Sequence, residues 1–159
     1  MISLQVSISK QELYVYFHDQ MKKKYIISTA KNGPGEEWGS EKTPRGKHIV
    51  RAKIGAGCPV NTVFVGRRPT GEIYSPELKL KYPKRDWILT RIFWLSGLEL
   101  GKNRLHSVDT MRRFVYIHGV PDEVPMGTPG SHGCIRMRNQ NIVELFNEIP
   151  YATIVQIKE

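Results

Sequence analysis

The sequence predicts a mostly β domain, either a sandwich or a distorted barrel, with one helix near its end. Three observations point that way. Short runs alternate apolar and polar residues as half-buried strands do, glycine- and proline-rich turns separate them, and one stretch alone has helical spacing.

In chain order, Ile2, Leu4, Val6 and Ile8 alternate with polar neighbours and form the first expected strand. Residues 11–18 follow with Leu13, Val15 and Phe17 on one face, and residues 25–28 continue in β-formers. Residues 31–47 are rich in glycine and proline and are expected to form a long loop. Strands are expected again at 48–54, 61–65, 87–93, 114–118 and 152–157. Residues 55–59, 67–71 and 101–103 read as turns. The stretch 76–109 is less regular and more charged, and reads as an insertion that covers a site. Ile142, Leu145, Phe146 and Ile149 recur at helical spacing, and Pro150 ends the run. Asn141 with Glu144 resembles a capping box, with Asn139 as the alternative cap. No repeat or linker divides the chain, so residues 1–159 are read as one domain.

Composition narrows the classes. At 40% hydrophobic and 25% charged residues, the chain is an ordinary globular protein, unlike a collagen, a coiled coil or a disordered tail. A net charge of +9 invites anionic partners, but its lysines and arginines are scattered. No stacking aromatic motif or basic helical stripe supports nucleic-acid binding, so none is expected. No run approaches the ~20 apolar residues of a membrane span. The opening residues alternate like a strand and lack an export signal's pattern, so a cytoplasmic protein is expected. The alternative is a periplasmic or envelope protein whose signal has been removed. Cys58 and Cys134 do not make a disulfide framework, which suits a reduced compartment.

The chemistry concentrates in Ser131-His132-Gly133-Cys134-Ile135-Arg136, with Ile117-His118-Gly119 upstream. A thiol becomes a useful nucleophile as thiolate, and a neighbouring imidazole can take its proton. His118 ends a β-forming run, which is a rigid mount, and the intervening loop is long enough to fold Cys134 back beside it. Glycine before the cysteine admits a ligand close to the backbone, where the N–H groups of Gly133 and Cys134 can face an oxyanion. No Asp or Asn is obviously placed to orient the imidazole. A lone cysteine is more often a small buried hydrophobe, and Cys58 is read that way. His132 is either a hydrogen-bonding neighbour or, with His118 and Cys134, a zinc ligand. The spacing fits no familiar zinc pattern, and neither a metal nor a cofactor is expected. His18, His48 and His106 lack reactive company and read as surface or loop residues. Tyr82, Trp87, Trp94 and Tyr116 either line a groove or pack in the core, and one of Arg112 and Arg113 faces the site.

Together, Ile117-His118-Gly119, Gly127, Gly130 and Ser131-His132-Gly133-Cys134-Ile135-Arg136-Met137 resemble the bacterial L,D-transpeptidase catalytic domain (YkuD type). Thr43-Pro44-Arg45-Gly46 is similar to that family's Thr-Pro-x-Gly element, and the likeness spans essentially the whole chain. The resemblance implies Cys134 as nucleophile, His118 as general base and the Gly119 carbonyl as the group orienting the imidazole. It implies an oxyanion hole from the N–H groups of His132, Gly133 and Cys134. Arg136, with Ser131 and Tyr116, would contact substrate, Arg136 by gripping a carboxylate.

The family acts on peptidoglycan stem peptides, expelling the terminal D-alanine from the diamino acid to leave a thioester that an amine or water resolves. Carbapenem-type β-lactams acylate the same cysteine in similar enzymes. Water is the expected acceptor, making the protein a cytoplasmic L,D-carboxypeptidase that trims muropeptides. The alternative is an exported cross-linking L,D-transpeptidase, and a more distant one is a muropeptide-binding module without catalysis. Oligomeric state is left open.

Overall fold

In the computed structural model, which describes residues 1–159, ten strands join one sheet. They are β1 (Ile2–Ser7), β2 (Glu12–Phe17), β3 (Gln20–Ser28), β4 (Gly46–Ile54), β5 (Thr62–Val65), β6 (Arg68–Ile73), β7 (Ile88–Gly97), β8 (Tyr116–Val120), β9 (Ile135–Arg138) and β10 (Ile154–Lys158). The spatial order is β4-β10-β1-β2-β3-β9-β8-β7-β5-β6, and β4 also pairs with β7. That extra pairing closes eight strands into a ring and leaves β5 and β6 as a flap on β7. Of the two expected architectures, the barrel is realised. Closure removes the exposed edges that an open sheet would present at β4 and β7.

The alternation seen in the sequence sets the core. Leu4, Val6, Leu13, Val15, Ile27, Ile117, Ile135, Met137, Val155 and Ile157 all point inward and are buried. Helix α2 (Asn139–Glu148) adds Ile142, Leu145 and Phe146 to the same core. At about 25 cal/mol per Å² of buried apolar surface, each such side chain stabilises the fold by about 1.5–3 kcal/mol relative to exposure.

Several expectations need correction. Residues 76–109 are not an insertion, because they contain β7, whose Leu89, Ile92, Phe93 and Leu95 are buried at the centre of the sheet. A short helix, α1 (Pro76–Lys81), precedes it, with Ser75 Oγ accepting the N–H of Leu78. Residues 68–71 are strand β6 rather than turn, and the turn itself is only Gly66-Arg67. Phe114 is not strand but sits in a left-handed turn conformation (φ +56°), so β8 begins at Tyr116. Neither Asn141 nor Asn139 caps α2. Arg138 occupies the cap position with no side-chain bond, and Asn139 is buried in a polar network instead. Strand β9 was not foreseen, since two arginines interrupt its four residues and its only apolar signal is Ile135 and Met137.

Candidate active site

Strands β8 and β9 run parallel, with His118 opposite Arg136 and Ile117 opposite Ile135. Successive residues of a strand face opposite ways. Ile117, Ile135 and Met137 therefore enter the core, while Tyr116, His118, Cys134 and Arg136 share the other face. That face floors a cleft of about 440 Å³, whose other lining residues include Arg67, Asp86, Arg113, Phe114, Ser131, His132 and Gly133. The structure thus brings His118 and the Ser131–Arg136 stretch together in one cleft.

His118 is buried, and its Nδ1 lies 2.7 Å from the Gly119 carbonyl oxygen. A carbonyl only accepts, so Nδ1 carries the proton and Nε2 keeps its lone pair. Nε2 has no bond to any protein group. Burial lowers the imidazole's pKa, opposed by the Gly119 bond, so the ring is neutral at neutral pH. Gly119 is required for more than access to its carbonyl. A Cβ there would lie 2.4 Å from Asn139 Oδ1 and 2.7 Å from the Leu89 carbonyl oxygen. Asn139 in turn accepts from Thr90 Oγ1 and donates to Asn61 Oδ1, and Thr90 sits in a bulge of β7 at φ +75°. This buried network packs behind the histidine strand.

Cys134 is partly exposed and lines the cleft, with protein packed round its sulfur. The Tyr116 N–H donates to Sγ at 3.3 Å, and Sγ is 3.4 Å from the Phe114 carbonyl oxygen. Enclosure pushes the thiol up to about 12, against a smaller opposing effect of the Tyr116 N–H. Both shifts favour the neutral forms, thiol and imidazole, from which proton transfer can accompany attack.

The loop before Cys134 is held from below. Thr43 Oγ1 donates to the Gly133 carbonyl at 3.0 Å and accepts the Ala30 N–H at 3.0 Å. Gly133 sits at φ +132°, where other residues are strained, and a Cβ would lie 3.4 Å from the Lys42 carbonyl oxygen. Ser131 Oγ donates to the Cys134 carbonyl and accepts the Gly133 N–H at 3.2 Å. Of the three N–H groups expected in an oxyanion hole, Gly133's is thus engaged by the serine hydroxyl. Those of His132 and Cys134 bond to no protein acceptor. Ser131 is buried at the cleft wall, and these two bonds make it a brace for the loop.

Charge in the cleft is uneven. Arg136 donates to the Gly130 carbonyl at 3.2 Å and pairs loosely with Asp86 at 3.5 Å. Arg113, rather than Arg112, faces the site, but its guanidinium is spent on the carbonyls of Gly35, Glu36 and Lys42 and on Ser40 Oγ. It pins the 35–42 loop. Arg67 and Asp86 were not singled out from the sequence, because each lies in a turn or loop far from the motif and only the fold brings them near. Of the aromatic residues, Tyr116 lines the cleft, Trp94 packs edge-on against it, Trp87 packs with Tyr74, and Tyr82 is exposed. His48 is buried rather than superficial, while His18 and His106 are exposed. Cys58 is half-buried against Phe64, Ile92 and Tyr116, and both cysteines are free.

Residues 2–157 match the L,D-transpeptidase catalytic domain family, YkuD. The chain belongs to that family. It is 30% identical over 109 residues to a probable L,D-transpeptidase, YbiS, of Escherichia coli, a match covering 65% of this chain and 34% of that protein. The chain therefore spans about a third of this curated relative. Its fold is also that of an L,D-transpeptidase from Mycobacterium smegmatis, at a TM-score of 0.58 and 18% identity, covering 99% of this chain and 58% of that one. A further likeness is to L,D-transpeptidase 3 from Mycobacterium tuberculosis in complex with a faropenem-derived adduct. There the TM-score is 0.61 and the identity 15%, covering 99% of this chain and 60% of that one. This L,D-transpeptidase-family domain has no helix long and apolar enough to cross a membrane.

Proposed function

We propose that this domain is a cysteine acyltransferase acting on peptidoglycan stem tetrapeptides, with water as the acyl acceptor. The observation that carries the reading is the shared cleft face of β8 and β9. It presents a thiol and an imidazole with a free Nε2, flanked by guanidinium groups. As Cys134 Sγ attacks the carbonyl of the diamino acid, His118 Nε2 takes the thiol proton. The N–H groups of His132 and Cys134 steady the oxyanion. The proton then passes to the departing nitrogen, the C–N bond breaks, and D-alanine leaves behind a thioester. His118 next takes a proton from water, whose oxygen attacks the thioester. The sulfur leaves as thiolate and recovers the proton, freeing the tripeptide acid.

Cleft electrostatics support water over an amine. Three arginines against one aspartate attract carboxylate-bearing peptides and oppose an incoming ammonium group, whereas water is neutral. Action on soluble muropeptides in the cytoplasm goes with this reading, since free fragments hold no acceptor amine in place. Asp86, the one carboxylate of the cleft, favours the second reading, in which an amine resolves the thioester and a cross-link forms.

Incubation with a single tetrapeptide muropeptide is expected to yield tripeptide. Cross-linked dimer without tripeptide would overturn hydrolysis, and no product of either kind would overturn acyl transfer. By analogy with the faropenem adduct named for the mycobacterial protein, a β-lactam of that kind is expected to add covalently to Cys134. Intact mass is expected to show that adduct lost in Cys134→Ala and kept in Cys58→Ala. Fractionation of cells carrying the full native gene tests the location.

A further inference from the structure

The turn between β5 and β6 is a two-residue hairpin loop, Gly66-Arg67, since Val65 pairs with Arg68. Both loop residues are left-handed, at φ +57° and +65°. Such turns favour Asn-Gly, Asp-Gly or Gly-Gly, and a long side chain at either position is strained. Arginine stands there nonetheless. Backbone strain held at the rim of a cleft is a pointer to function when the side chain has an evident task.

The task is legible in where the guanidinium goes. It folds back over the cleft, centred 4.7 Å from the Trp94 ring and 4.9 Å from the Phe114 ring. One nitrogen donates to the Tyr116 hydroxyl at 3.0 Å. No carboxylate neutralises it, in contrast to Arg136, which faces Asp86, and Arg113, which is used up on backbone carbonyls. The Tyr116 hydroxyl hydrogen is likewise unclaimed. Tyr116 also supplies the N–H that meets Cys134 Sγ, and Arg67, Tyr116 and Cys134 line the same cleft. Arg136 lies two residues along β9 from Cys134, opposite His118.

The geometry points to Arg67 and Tyr116 as a carboxylate-binding subsite separate from Arg136, so that the cleft reads two carboxylates on one acyl donor. This rests on the acyl-transfer reading for its substrate, though not for the binding chemistry. Two donors fixed side by side, one of them a guanidinium, match the two oxygens of a carboxylate. The aromatic rings hold the side chain in its bound-like pose before any ligand arrives, which lowers the ordering cost of binding.

Alkylation of Cys134 tests the subsite without assuming a substrate. In a Cys58→Ala background, rates with iodoacetate and iodoacetamide report attraction of a carboxylate against a neutral analogue of the same size. Arg67→Asn is expected to lower the iodoacetate-to-iodoacetamide ratio about threefold to tenfold, with the iodoacetamide rate itself little changed. Because Asn suits the left-handed turn, the variant's Tm is expected to equal or exceed that of the parent. An unchanged ratio, or equal slowing of both reagents with a lowered Tm, would overturn the proposal in favour of a purely structural arginine.

Tetrapeptides amidated singly at each carboxylate supply the second arm. The kcat/KM penalty of Arg67→Asn is expected to vanish on one amidated peptide, and that of Arg136→Gln on a different one. A penalty that is the same on every peptide would also overturn the separate subsite. If no peptide is turned over, the substrate reading fails, and the alkylation ratio still decides the role of Arg67.

Discussion

Two buried histidines in this barrel start from nearly the same environment and end in different chemistry. His118 on β8 and His48 on β4 each have Nδ1 against a backbone carbonyl oxygen, Gly119 at 2.7 Å and Gly46 at 3.0 Å. Burial depresses both, His48 to about 4, so both rings are neutral with Nδ1 protonated. They part at Nε2. Thr110 Oγ1 lies 2.9 Å from that atom of His48 and closes its account. In His118 the same atom opens on a cleft that also holds a thiol. Burial and a lowered pKa therefore do not mark a reactive histidine in this fold. The unspent lone pair does.

Replacing each histidine by alanine should separate the two roles most sharply. His118→Ala is expected to cut turnover by about 10²–10⁴-fold, with a smaller stability loss because water from the cleft can reach the freed Gly119 carbonyl. His48→Ala is expected to do the opposite. It leaves the Gly46 carbonyl and Thr110 hydroxyl without a partner and opens a cavity, costing about 2–3 kcal/mol of stability. Turnover per folded molecule should stay near the parent value, at a temperature well below the lowered Tm. Paired denaturation and tetrapeptide-turnover measurements check both. Comparable activity loss in His48→Ala would erase the distinction drawn from Nε2.

A smaller effect should appear in acid. His48 takes up its proton near 6.5 when unfolded but only near 4 when folded. Between those values the unfolded chain binds more protons, so stability is present above about 6.5 and falls as pH drops towards about 4. A shift of that size corresponds to a loss of about 3 kcal/mol across the window. His118, also depressed, adds a slope of the same sign. Urea midpoints taken from pH 7 to 4 should therefore fall steeply in the parent and less steeply in His48→Ala. Parallel curves for the two proteins would mean that His48 is protonated without cost.

The unequal legibility of these histidines shows what a sequence can carry. His118 stood out because its neighbours are local in the chain, with a β-forming run before it and Gly119 after it. His48 was misread because what satisfies it, Thr110, is distant in sequence and lies beyond β7. The same division holds elsewhere. The alternating runs of β1, β2 and β10 announced themselves, and so did the helical spacing of α2. Strand β9 did not, because two of its four side chains are arginines, Arg136 in the cleft and Arg138 on the carbonyls of Asp122 and Val124. Ser131 was legible as part of the motif but not as a brace, since its bonds to Gly133 and Cys134 depend on the turn the loop adopts. Arg67 and Asp86 reach the cleft only through the β5–β6 flap and the approach to β7.

Threonine hydroxyls act on both sides of the comparison, and the last expected effect concerns the one beneath the thiol. Thr110 closes His48, whereas Thr43 holds the Gly133 carbonyl and the Ala30 N–H, fixing the loop that presents Cys134. Thr43→Val keeps the shape and removes both bonds in a fully buried place. The expected loss is about 1–2 kcal/mol of stability, with turnover falling more than stability requires because Gly133 is freed from its left-handed pose. Thr43→Ser retains the hydroxyl and should restore turnover. If Val keeps turnover while Ser loses it, the methyl group's packing, and not the hydroxyl, is what Thr43 contributes. The loop before Cys134 would then be held by the Ser131 hydroxyl together with the backbone bonds that tie Gly130 and Ser131 to Thr29 and Lys31.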